Sequence, residues 1–205
     1  MAAPPREPKA DAIAAGSIPL FAAFVLMLSD PLAAAEPCAP PLARLVSVQG
    51  TVELKRSDTD LWQPTGLDVA LCAGDSLRVG PLGRAALVFA NDSVLRLDER
   101  TMLRLSGPAE PERSLIDLIL GAVHFFSHRP RALQVETPFV NAGAEGTEFL
   151  VRVAADRTEI IVFEGRVLAR NAKGELGLVS GQAARVRPGE APRQIIVARP
   201  RDAVA

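Results

Sequence analysis

The chain has 205 residues, a formal net charge of −1 and 4% aromatic residues with no tyrosine. That length holds one domain with a substantial core plus a targeting segment, and balanced charge with so few aromatics excludes the basic surfaces and stacking platforms that nucleic-acid binders use. Its 17 prolines and 15 glycines fall at strand-length intervals, punctuating many short elements and excluding a bundle of long helices.

Residues 1–35 read as an export signal. A polar start carrying Arg6, Glu7, Lys9 and Asp11 precedes the apolar run Ile18 to Leu28, and Ala33, Ala34 and Ala35 offer small residues for a cut after Ala35. The alternative is an uncleaved anchor, for which Ala12 to Leu28 sits at the short limit of the roughly 20 apolar residues a span needs. Either reading places the rest of the chain in an exported, periplasmic compartment, with membrane contact only through this segment. Residues 36–43 read as an arm. Cys38 and Cys72 lie beyond the cut, and an even pair in an oxidising space is expected to close, contributing about 3–4 kcal/mol on the chain-entropy account. Two independent buried thiols are the alternative.

From Arg44 the pattern is β. Leu45 to Val48 and Val52 to Leu54 flank Gln49-Gly50, a hairpin signal. A polar excursion from Ser57 to Gly66 holds Trp62, which suits core or edge packing better than a ligand platform. Val69 to Leu71 and Leu77 to Val79 are separated by Gly74-Asp75. Asn91-Asp92 turns Ala85 to Phe89 back onto Val94 to Leu97, and Met102 to Leu105 follows. Leu95, Leu97, Leu103 and Leu105 are expected to face inward, Arg96, Asp98 and Arg104 water. Gly107 to Arg113 reads as a surface loop dividing the domain into two lobes. Ser114 to Phe126 fits either a helix face or a strand face; strands broken at Gly121 agree with the surroundings.

Thr137 to Arg170 reads as three strands folded back on one another. Phe149, Val151 and Val153 alternate with Glu148 and Arg152, as in a half-buried strand. Arg157 to Phe163 has two apolar faces, and Glu164-Gly165 reads as a two-residue link into Arg166 to Arg170. Ahead of them, Asn141 to Gly146 reads as a loop or bulge. With Asn141, Glu145, Gly146, Thr147 and Glu148 it makes the candidate interaction loop, and Glu148, Arg152, Glu159 and Arg166 are candidate contact residues. Leu176 to Val179 and Ala183 to Val186 close the patterned region. Residues 188–205 read as linker and tail, with a last apolar run at Gln194 to Ala198 and an end that looks interrupted.

No reaction is legible. His124 and His128 have no third ligand nearby, no serine sits in a GxSxG elbow, and no cysteine neighbours a histidine. Gly143 to Gly146 lacks the Lys-Ser/Thr of a phosphate loop. The expectation is a protein that is not an enzyme and uses no metal or cofactor.

The ordered set of segments does resemble a known family. Leu45 to Val52 (LVSVQGTV), Cys72 to Gly80 (CAGDSLRVG), Val94 to Leu97, Leu120 to Val123, Val135 to Pro138, Glu145 to Val151 (EGTEFLV), Phe163 to Val167 and Gly181-Gln182 together resemble the FecR-domain family across residues 44–187. HFFSHRPR and the ending RPRDAV resemble its exported branch, in which the domain precedes tetratricopeptide repeats, absent here. The resemblance implies an all-β domain of many short, mostly antiparallel strands in a β-solenoid-like or jelly-roll-like stack. It also implies a cell-envelope module that contacts a protein partner or senses a signal. An envelope glycan-binding module is the alternative. A periplasmic regulator of sigma-factor signalling is a further one, although the segment before the apolar run is too short for a cytoplasmic anti-sigma portion.

Overall fold

The computed structural model describes Cys38 and residues 40–110, 113–127 and 130–196. The chain divides into two compact units, Met1–Ala35 and Glu36–Ala205, and every described residue lies in the second. The signal-segment reading therefore falls outside the described residues, as does His128. Among the described residues there is no helix, hence none long and apolar enough to cross a membrane.

Fifteen strands run through them. They are β1 (Ala43–Gln49), β2 (Val52–Lys55), β3 (Gln63–Pro64), β4 (Ala70–Leu71), β5 (Ser76–Val79), β6 (Arg84–Phe89), β7 (Val94–Leu97) and β8 (Met102–Glu110). Then come β9 (Arg113–Phe126), β10 (Pro130–Glu136), β11 (Asn141–Ala154), β12 (Arg157–Asn171), β13 (Gly174–Val179), β14 (Ala183–Val186) and β15 (Arg193–Ile195). All register in one sheet, and every pairing is antiparallel except β9 with β10. The fold is all-β.

The three long strands β9, β11 and β12 organise it, because each changes neighbours partway along. The Ser114–Leu120 part of β9 lies between β8 and β10, and its Gly121–Phe126 part between β7 and β11. Likewise β12 carries β14 on Thr158–Ile161 and β13 on Arg166–Asn171. The sheet thus has two halves. The first half-sheet holds β4, β1, β6, β7, β14, β15 and the adjoining parts of the long strands; the second holds β3, β2, β5, β8, β10, β13 and the rest. Leu45, Leu87, Leu95, Phe125 and Phe149 of the first and Leu77, Leu103, Leu105, Ile116 and Val135 of the second share one buried cluster. Phe125 and Phe149 stack at its centre, ring centroids 4.7 Å apart.

Glycine makes the crossings possible. Gly121 has φ +93°, and a Cβ there would overlap Thr101 and the carbonyl of Arg100, where the chain passes from β7 into β8. Gly165 has φ +84°, and a Cβ would overlap the carbonyl of Gly146 and the methyl of Thr147. Opposite it, β11 slips register on both sides of Glu148, which is a β-bulge.

Several expectations hold. Asn91-Asp92 turns β6 onto β7, with Asp92 at φ 64°. Leu95, Leu97, Leu103 and Leu105 are buried, and β12 is apolar on both faces: Ile160 and Val162 join the main core while Ile161 joins a second cluster with Leu150 and Ala183. Others need correction. Gln49-Gly50 is no hairpin, because β1 pairs with β4 and β6 while β2 pairs with β3 and β5; the glycine turns the chain from one half-sheet into the other against Gly83. Gly107 to Arg113 divides nothing, since β8 and β9 pair almost to their shared end across register shifts. Gly121 bends β9 without breaking it, and Glu164-Gly165 lies inside β12 rather than turning it. Pro188 to Pro192 leads into β15, which pairs with β14, so the strand set runs past the boundary expected at residue 187.

Candidate functional site

The five residues of the expected interaction loop are not a loop. All lie in β11, with Asn141–Glu145 paired to β10 on one side and β12 on the other. Asn141 is exposed at the strand's start, Gly146 is the bend, and Glu148 is half-buried on the bulge. Thr147 turns inward at 2% exposure with its Oγ1 unpartnered among the described residues, so it belongs to the interior and not to a contact surface.

Registration instead gathers a site on the outer face of the first half-sheet. His124 of β9 stands beside Leu150 of β11 and Arg96 of β7, and Phe126 beside Glu148 and Val94. His124 is 7% exposed. Its ring lies 4.1 Å from that of Phe126 and 5.1 Å from that of Phe163, and its Nε2 is 3.0 Å from Glu148 Oε1. The contact is close enough to pair charges but is not aligned as a hydrogen bond, and Nδ1 has no described partner either. Burial holds the imidazole pKa below its ordinary value; the Glu148 carboxylate opposes that shift and Arg96 adds to it. The Arg96 guanidinium sits 4.9 Å above the Phe126 ring, a cation–π contact.

Beyond Leu150 and Ile161 the same face becomes charged. Glu159 Oε1 accepts from Arg157 Nε at 3.2 Å and from Arg185 Nε at 2.9 Å, and Arg193 registers next to Arg185. Asp156 takes a further nitrogen of Arg157 at 2.9 Å. Of the contact residues expected from sequence, Glu148, Arg152 and Glu159 meet on this face. Arg166 lies past the Gly165 bend, in the second half-sheet.

At another edge, the excursion between β2 and β5 is held by a buried carboxylate. Asp75, 1% exposed, accepts from Arg56 Nη1 at 2.8 Å, Cys72 N at 2.8 Å and Ser57 N at 3.1 Å. Cys38 and Cys72 are joined there with Cα atoms 5.8 Å apart, a separation that a disulfide spans. A cavity of about 160 Å³ opens among Leu54, Arg56, Leu61, Gln63, Pro64 and Val69. Trp62 stacks beneath Arg78 at 4.5 Å, and Arg78 forks onto Glu53 at 2.6 and 3.0 Å.

None of these groups forms a nucleophile–base–orienter set, and the described residues hold no cluster of three metal-ligating side chains. The outer face of the first half-sheet gathers cations, carboxylates and half-buried aromatics. Sequence reasoning missed the His124–Glu148 contact because strand register alone joins the two. The available signal was the placement of His124 and Phe126 two apart, on the face opposite Val123 and Phe125.

A family model described as FecR protein matches residues 75–168. That span runs from the Asp75 anchor to β12 and includes His124, Glu148 and both crossing glycines. Two crystal structures of a proposed anti-sigma factor from Parabacteroides distasonis ATCC 8503 share the fold, each with a TM-score of 0.53 at 15% identity, covering 59% of this chain and 59% of that one. This chain therefore spans less than two thirds of the proteins it resembles in structure. No curated protein matches the sequence.

Proposed function

Because residues 75–168 carry a FecR domain, we propose that the chain is an exported, non-enzymatic module of the cell envelope that senses a signal by contacting a protein partner. The observation that carries this reading is the FecR match laid over a sheet face that gathers charged and aromatic side chains. Faces that combine aromatic and arginine side chains suit protein contacts. The Cys38–Cys72 pair agrees with an oxidising compartment.

Affinity capture from periplasmic extract tests the reading. A protein partner that survives glycosidase treatment is the expected result. Retention on isolated cell wall in place of a protein partner would support glycan binding, and turnover of generic ester, peptide or glycan substrates would overturn the non-enzyme part. Export is read from the mass of non-reduced protein isolated from cells, which should begin after Ala35.

The anti-sigma description of the solved structures raises a second reading, a regulator that ends on a sigma factor. A neighbouring sigma-factor gene whose target promoters respond to loss of this chain would favour it over a sensor acting only in the envelope.

A further inference from the structure

We propose that β13 is a seam for a second copy of this chain, the two β13 strands pairing antiparallel about a twofold axis at Leu176. The inference goes beyond the contact-module reading and does not rest on it.

The first argument is how the sheet treats its edges. An unpaired strand edge is a template for another strand unless it is short or bulged, or carries proline or charge. β3 and β4 have two residues each, with Pro64 in β3. β15 has three, preceded by Pro192 and opening on Arg193. β1 is bulged between Leu45 and Ser47. β13 is neither short nor bulged. Its six residues, Gly174–Val179, pair with β12 without a register shift, and no described strand pairs on the other side. The one charge in it, Glu175, is drawn back over β12 by Arg170 Nε and Nη2 at 3.0 and 2.7 Å.

The second argument is which backbone groups that edge leaves open. Val179 N–H donates to Gln182 Oε1 at 3.0 Å, and the Val179 carbonyl accepts from Gln182 N–H at 2.9 Å. Both groups of Val179 therefore point away from β12 and are capped. In an antiparallel ladder that orientation recurs at every second residue, so Gly177 and Glu175 also turn N–H and C=O to the open side, where no described group meets them. A twofold axis at Leu176 sets Glu175 of each copy opposite Gly177 of the other. Each such pair exchanges N–H···O=C bonds both ways, which uses every open group of both edges and leaves the Gln182 caps in place.

The side chains fit the same register. Leu176, half-buried against the main core, meets its own counterpart. Glu175 faces a residue without a side chain, so like charges do not stand directly opposite. Gly177 is otherwise unexplained by the fold: its φ is not left-handed, and a Cβ there would meet nothing within 4 Å. Glycine weakens a strand interior and marks places where another backbone or group comes close. A net charge of −1 leaves little repulsion between copies.

Sedimentation velocity on the full chain tests this. A seam of six residues a side falls below the roughly 1,200 Å² of a standard interface, so the expected result is a reversible dimer that grows in between about 10 and 500 µM. Gly177→Glu sets like charges opposite Glu175 of the second copy, twice over by symmetry, and should weaken the dimer about fivefold or more. Gly177→Lys, at the same open position, should not weaken it, and Gly177→Glu combined with Glu175→Lys should restore it. The concentration series of the parent chain stands even if every variant misfolds. A chain that stays monomeric throughout, a dimer indifferent to Gly177→Glu, or a dimer weakened equally by Gly177→Glu and Gly177→Lys would each overturn the proposal. So would a monomeric chain whose capture of a different protein is abolished by Gly177→Glu, because the edge would then belong to that protein's strand.

Discussion

The long crossing strands and the excursion between β2 and β5 are held together by different means. β9, β11 and β12 are stabilised by long ladders, interrupted at bulges, and by burial, with Val123, Phe125, Phe149, Val151, Ile160 and Val162 lying on the shared core. The excursion has only two-residue strands, a cavity lined by its residues, and exposed Leu61 and Leu67. Leu71 ties it to the shared core with Val69 packed alongside, and one carboxylate and one cysteine pair supply its other anchors. Damage to the crossing strands should therefore act on the whole domain, whereas damage to the excursion should act first on that excursion.

The largest effect should come from Gly165→Ala. Left-handed backbone costs a non-glycine residue about 1–2 kcal/mol, and the added carbon meets the Gly146 carbonyl and Thr147, neither of which is a flexible side-chain end. A total loss near 4 kcal/mol would be a large part of a domain's stability, and a urea midpoint close to wild type would show that the crossing is not rigid. Next comes the Cys38→Ser/Cys72→Ser pair. With a separation of 34 residues, removing the link should cost about 3–4 kcal/mol, seen as a lower melting temperature that reductant reproduces in the parent chain. Asp75→Ala should cost about 2 kcal/mol, because two backbone N–H groups lose their acceptor while Arg56, partly exposed, can turn to water. Limited proteolysis should then cut within residues 56–74 before it cuts elsewhere. Simultaneous cutting everywhere would mean that the excursion and the crossing strands form one cooperative unit.

The same contrast shows what the sequence could convey. The strands were legible wherever alternation met burial, as at Leu95 and Leu97 or Ile160 to Val162, because period-2 patterning is a local property. Their partners were not. Gln49-Gly50 and Glu164-Gly165 carry ordinary hairpin chemistry, but one is a passage between half-sheets and the other a bend inside a strand. What decides between turn and bend is packing against Gly83 in the first case and against Gly146 and Thr147 in the second, residues that pattern reading does not connect. The candidate site fared similarly: Glu148, Arg152 and Glu159 were legible as outward charges, while His124, Arg96 and Arg185 join them only through register.

The smallest effect, and the one that best separates the two regions, is pH. Burial holds the folded His124 pKa below the ordinary 6.5, so the neutral ring is favoured in the native state. Its contribution to stability is present above the unfolded value and is lost as pH falls through the folded one. Wild type should therefore lose urea stability from below about pH 6.5, and His124→Gln should remove that part of the loss. Glu148→Gln sharpens the test, because the carboxylate is the main group raising the folded pKa; without it the acid loss should deepen. Arg96→Gln should do the reverse, since its charge adds to the lowering. If all three variants follow the wild-type curve, His124 is not the titrating group, and the acid sensitivity belongs to carboxylates elsewhere. If the curves separate as stated, while cleavage within residues 56–74 stays independent of pH over that window, the pH response lies on the crossing strands and the excursion has no share in it.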